Sequence, residues 1–227
     1  IPVLDAVYVP LSIRTLQQSK DEEVQEVAAI QLYRFARERL ADISSAAEVL
    51  QQTFGASTSR RVRSACVRAA AAGGLQQLAP QILEFTRSAA DSERVILEAA
   101  LTEWKFADAQ PLWRERVMND RESATSVSLA CRGLAALGDQ ESAAALLKLA
   151  GDSTADFLKR MSAASAAAQL SPADSVALAK TLVNRAEAER LIAVALLENQ
   201  DASGLTLAVQ LAQDVRDAVG SAAWQLV

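Results

Sequence analysis

The chain has 227 residues, 51% of them hydrophobic and 22% charged, with 23 Lys plus Arg against 28 Asp plus Glu, a net charge of −5 and a pI near 5.0. It has no histidine and two cysteines, Cys66 and Cys131, which excludes a Ser-His-Asp triad, a Cys-His pair, an imidazole metal site, a four-cysteine zinc site and a disulfide framework. The apolar share is too high for disorder and large enough for a core, the acidic balance gives no general reason to expect nucleic acid, and the longest uncharged stretch, Ala69 to Leu83, is too short and too polar to span a bilayer.

Alanine (47) and leucine (29) make up about a third of the chain, while Gly (8) and Pro (5) are scarce. Ala and Leu are the strongest helix formers, and β-branched and aromatic residues are too scattered for many strands. The chain therefore reads as helical almost throughout, in seven helix pairs. The first members are expected at Val3–Gln18, Asp42–Phe54, Leu75–Ser88, Ala109–Met118, Gln140–Ala150, Pro172–Val183 and Ala202–Ala212. The second members are expected at Asp21–Leu40, Ser59–Ala72, Ser92–Ala107, Arg121–Leu137, Thr154–Leu170, Arg185–Glu198 and Val215–Val227. Breaks fall at turn chemistry such as Gly73-Gly74, Gly138-Asp139, Gly151-Asp152 and Ser171-Pro172. Proline after Ser171 suits a first helical turn, and Asp174 suits the positive end of the dipole.

The second helices superimpose. Val24, Val62, Val95, Ala124, Phe157, Ala188 and Val215 fall at one equivalent position, with steps of 38, 33, 29, 33, 31 and 27 residues. A two-helix unit recurring at this period predicts an all-α right-handed superhelix, a solenoid of about seven pairs running as one domain over residues 1–227. The pairs at Ala109–Leu137 and Pro172–Glu198 are short, so irregularity is expected there.

The segment Leu134-Ala-Ala-Leu-Gly138-Asp-Gln-Glu-Ser-Ala-Ala-Ala-Leu-Leu147, followed by Gly151-Asp152, and the helix start Asp214-Val215-Arg216-Asp217-Ala218 resemble HEAT repeats, in particular the short HEAT-like repeats also found in phycobilin lyases. Tetratricopeptide repeats compete on Leu137-Gly138-Asp139, but their steady period and signature residues do not recur. The resemblance implies a ladder of Asp in the turns and Arg or Lys just after the repeated apolar position, where Arg63, Lys159, Arg190 and Arg216 stand. It also admits enzymes. Iron-dependent hydroxylases of this fold need His-Glu motifs and are eliminated by the missing histidines. DNA glycosylases and bilin lyases remain as alternatives, without a motif here that shows DNA or pigment binding.

Charge is uneven: residues 1–54 sum to −3, residues 55–90 to +4 and residues 91–227 to −6. Arg60, Arg61, Arg63 and Arg68 fall on one predicted helix, with Arg61 and Arg68 on a shared face. They read either as a patch for an acidic partner or as a solvated face, with Arg63 in the ladder and the helix Asp21–Glu26 supplying acidic neighbours. Trp104 and Trp113 read either as partner anchors or as filling between repeats. Cys66 and Cys131 read as reduced core thiols, which fits a cytoplasmic chain. Ile1 in place of Met points to a trimmed or processed chain and leaves a removed signal peptide open.

The expectation is thus a non-catalytic scaffold or adaptor, not an enzyme, presenting a concave helical surface to a protein or peptide partner. Arg60, Arg61, Arg63, Arg68, Trp104 and Trp113 are its candidate partner-binding residues. No cofactor, metal, membrane span or nucleic acid is expected. The alternatives are a bilin-lyase or DNA-glycosylase type of enzyme, or a structural module of a larger protein.

Overall fold

The computed structural model describes residues 8–198, 202–213 and 217–226. These form fourteen α-helices and, among the described residues, no strand. They divide into two compact units, Ile1–Asp108 and Ala109–Val227. The first holds three pairs: α1 (Tyr8–Gln18) with α2 (Glu22–Arg37), α3 (Ala47–Ala56) with α4 (Arg60–Ala72), and α5 (Ala79–Thr86) with α6 (Asp91–Glu103). The second holds four: α7 (Gln110–Met118) with α8 (Ala124–Leu137), α9 (Ala143–Gly151) with α10 (Phe157–Leu170), α11 (Pro172–Leu182) with α12 (Glu187–Leu196), and α13 (Ala202–Ala212) with α14 (Asp217–Trp224). Inside the first unit the second helices pack in a row, α2 on α4 and α4 on α6. Inside the second unit α8, α10, α12 and α14 do the same, and α7, α9, α11 and α13 form the row behind them. The seven expected pairs are all present. The expected helical start from Val3 to residue 7, and Asp214, Val215 and Arg216, lie outside the described residues, as does the side chain of Trp224.

Local chemistry sets the boundaries. Asp21 caps α2 by accepting from the amides of Glu23 and Val24, Ser123 caps α8 by accepting from Ser126, and Asp156 caps α10 by accepting from Leu158 and Lys159. Gly138 closes α8 in the left-handed region at φ 68°, with its amide on the Ala135 carbonyl and the Asp139 amide on that of Leu134. Three first helices begin later than their periodicity suggests. Ser44–Ala46, Gln76–Leu78 and Gln140–Ser142 each make a 3₁₀ turn before α3, α5 and α9. Asp42 shows why in the first case: its carboxylate takes the Ser44 amide at 2.8 Å and the Ser44 hydroxyl at 2.9 Å, which holds a turn where a helix would otherwise start.

Packing runs through small residues. On α10, Ala163, Ala164, Ala166, Ala167 and Ala168 are all buried, so this helix meets neighbours on several sides. Where a large residue enters, its neighbour shrinks. Trp113 of α7 is fully buried, and it lies where a Cβ on Gly133 of α8 would sit, 2.5 Å from two ring carbons.

Polar ties join neighbouring pairs within each unit. In the second, Arg160 of α10 is buried, donates Nε to the Ala150 carbonyl at 3.0 Å, and forks onto Glu189 of α12 at 2.8 and 2.6 Å. Arg114 of α7 forks onto Asp139 and reaches Glu141 at 2.6 Å, while Ser142 donates to the same Asp139 carboxylate. The ladder position expected for Lys159 is therefore filled by Arg160; Lys159 donates instead to the Asp120 carbonyl at 2.9 Å. The Arg160 fork holds the Glu189 carboxyl below its ordinary range against the upward push of burial, and Arg114 does the same for Asp139.

Two outcomes are expected. Gly133→Ala gains about 1 kcal/mol of helix propensity but drives a methyl into an immobile indole. The net result should be destabilisation by about 1–3 kcal/mol, read as a lower urea midpoint; an unchanged or raised midpoint would contradict the close packing. Depressed carboxyls stabilise the fold fully above their unfolded pKa of about 4 and lose that stabilisation as pH falls through the folded value. Acid unfolding should therefore begin only below about pH 4. Glu189→Gln should cost about 3–5 kcal/mol at neutral pH, because the Arg160 charge stays buried without its counter-charge, and should flatten the acid limb. A neutral-pH stability equal to the wild type would refute the tie.

Candidate functional site

The four arginines of α4 do not behave alike. Arg60 is half in solvent but engaged: it pairs with Glu93 of α6 at 2.6 Å, donates to the Ser88 carbonyl and stacks 4.9 Å from the Phe85 ring. Glu93 also accepts from the Ser64 hydroxyl at 2.7 Å and from the Ala90 amide, and burial is outweighed so that its carboxyl lies below its ordinary range. Arg63 pairs with Glu84 of α5 and lies 4.2 Å over Phe54 of α3. These two cations tie α4 to the next pair, and their acids come from α5 and α6 rather than from Asp21–Glu26. Arg61 is exposed and has no ion pair among the described residues. Arg68, seven positions on, lies on the face of Arg61 and stacks 4.4 Å over Tyr33 of α2.

Tyr33 is 8% exposed, and Arg37, one turn further along α2, comes within 6.0 Å of the same ring. Burial pushes the phenol up, but the Arg68 and Arg37 guanidiniums outweigh it and leave it below the usual 10. The basic face foreseen on α4 alone thus continues onto α2. Neither Tyr33 nor Arg37 carries a sequence signal for this, because the meeting depends on how α2 and α4 are aligned.

The second unit offers a groove of about 320 Å³ between α8 and α10. Ser128, Ser162, Ser165 and Gln169 line it with several alanines, and Arg132 is its single charge. Arg132 is exposed and has no ion pair among the described residues. The lining comes from residues three or four apart, Ser128 and Arg132 on α8, then Ser162, Ser165 and Gln169 on α10, so one stripe of each helix faces the hollow. The signal was present as a lone cation in an Ala/Ser-rich helix.

The two tryptophans proposed as anchors separate. Trp104 ends α6, half-buried. Trp113 is fully buried against Gly133 and cannot meet a partner, which corrects its candidate role. Cys66 and Cys131 are free and buried, and burial pushes both thiols up to about 12, so neither is a ready nucleophile. Among the described residues no acidic or cysteine cluster could hold a metal, and no helix is long and apolar enough to cross a membrane.

No family model matches this sequence, and no curated protein does. Among solved structures it matches a chain in the complex of CpcE and CpcF of phycocyanin lyase from Nostoc sp. PCC7120, with a TM-score of 0.55 and 17% identity, over 96% of this chain and 94% of that one. The fold is a HEAT-like helical repeat. The match also corrects the expectation of a non-catalytic scaffold that is not an enzyme: a chain with this fold over nearly its whole length belongs to a phycocyanin lyase, so the repeat does not select the inactive reading.

Proposed function

We propose that the chain is a lyase-type HEAT-like protein that holds a bilin and works with a protein partner. One observation carries this reading: the match to the phycocyanin lyase structure runs over nearly the whole of both chains. It also supports taking residues 1–227 as one repeat domain. The matched structure is a complex of two proteins, which supports a protein partner here. Arg61, exposed and without an ion pair among the described residues, favours an acidic segment on that partner. Two buried free thiols fit a reducing cytoplasm.

The groove between α8 and α10 is the seat we assign to the bilin. Its volume falls at the lower end of small-molecule sites. A bilin is a long conjugated chain bearing carboxylates. Arg132 would take a carboxylate, Ser165 and Gln169 would meet the polar edge of the pyrrole rings, and the alanines would let the flat chain approach the helices. Hydroxyls, an amide and one guanidinium bind and orient. The groove supplies no strong base, so its contribution to a lyase reaction is to fix the pigment's position for attack by a partner's nucleophile.

Biliverdin, titrated into the purified chain, should give an induced circular dichroism band. Arg132→Ala should weaken that binding about tenfold, the loss of one charge-assisted contact, without changing the unfolding midpoint. Wild-type protein that gives no induced band would overturn the proposal, and an unaffected Arg132→Ala would move the seat elsewhere.

A further inference from the structure

We infer that Arg37, Arg68 and Tyr33 form a binding site for a small oxyanion, a carboxylate or a phosphate, on the face shared by α2 and α4. The arginines stacked on rings in the first unit differ in how they are completed. Arg60 stacks on Phe85 and is completed by Glu93; Arg63 stacks on Phe54 and is completed by Glu84. Arg68 and Arg37 stack on one ring, and neither has a carboxylate among the described residues. Two like charges are gathered over a single aromatic side chain with no counter-charge among the described residues; Nε of Arg68 is buried without a hydrogen-bond partner, as is that of Arg63, but Arg63 already has Glu84. A cation pair of this kind is stabilised by an anion placed between the two guanidiniums.

The donor set fits an oxyanion. Each guanidinium is a planar fork suited to two oxygens, and a phenol hydroxyl can donate to a third. The ring differs from the other two in the series in this respect: Phe54 and Phe85 have no hydroxyl to offer. Access is open on the side of Arg37, which is exposed; Arg68 is partly buried and Tyr33 forms the buried floor. The charged groups that act most on the phenol are Arg68 of α4 and Arg37 of its own helix. The inference does not depend on the lyase reading, and its test involves no bilin.

The chain has two tyrosines, Tyr8 and Tyr33, so phenolate absorbance can be resolved by site, with Tyr33→Phe assigning the Tyr33 step. Titration at constant ionic strength in chloride should show the Tyr33 step below the usual 10. Replacing part of the chloride by inorganic phosphate or by acetate places a negative charge beside the phenol and should move the Tyr33 step up by about one pH unit. A shift with phosphate alone assigns a phosphate site, a shift with acetate alone a carboxylate site, and a shift with both a general oxyanion site. Arg68→Gln and Arg37→Gln should each abolish the anion-dependent shift, whereas Arg61→Gln, on the same face but away from the ring, should keep it. Arg37 is exposed, so its variant remains informative if Arg68→Gln fails to fold. No shift beyond chloride with either anion, or equal loss in Arg61→Gln, would overturn the site.

Discussion

Everything in this protein depends on helices approaching closely through alanine. A two-helix module has too little interior to be stable alone, and stacking lets it share its neighbour's. Small side chains shorten the distance between axes, which leaves little room for bulky residues and places backbones and polar side chains in register. Trp113 against Gly133 shows the rule from the other side: one large ring is admitted because the facing helix gives up its side chain. The buried fork of Arg160 on Glu189 belongs to the same regime, since a charge can be carried inside a row of alanines only with its counter-charge beside it.

That regime sorts the cations into two populations. Arg60, Arg63, Arg114 and Arg160 are consumed in holding pairs together, each with a carboxylate from a neighbouring element. Arg37, Arg61 and Arg68 in the first unit and Arg132 in the second have no carboxylate partner among the described residues, although Arg60, Arg63 and Arg160 stand on second helices as they do. A count of positive charge along the sequence merges the two groups. Geometry separates the cations that build the fold from those left to meet something else.

The repeat was legible in the sequence to within a few residues per helix, because its signals are local: alanine and leucine content, Asp and Ser caps, and glycine and proline at the breaks. The 3₁₀ entries to α3, α5 and α9 were not, since the choice between helix and turn there rests on short side-chain bonds such as those of Asp42 to Ser44. The ladder was misplaced by one residue, Lys159 for Arg160, for a physical reason: with apolar residues around so much of α10, periodicity does not fix which side of the helix is inward. The site was half legible. Arg61 and Arg68 share a face by spacing alone, whereas the Tyr33 ring beneath Arg68 depends on alignment between separate helices. The lyase reading stood in the sequence only as an alternative implied by the repeat's resemblance, with no motif behind it, and is favoured by the match to a solved structure over nearly the whole chain.

The crowding of α10 also governs what can change over time. Any enlargement at Ala163, Ala164, Ala167 or Ala168 would prise neighbouring helices apart, so those positions are closed to drift. Ser162, Ser165 and Gln169, on the open stripe of the same helix, carry no such penalty. Diversification is channelled onto the wall of the groove, and a lineage built on this scaffold can retune what it accepts there while its architecture stays fixed.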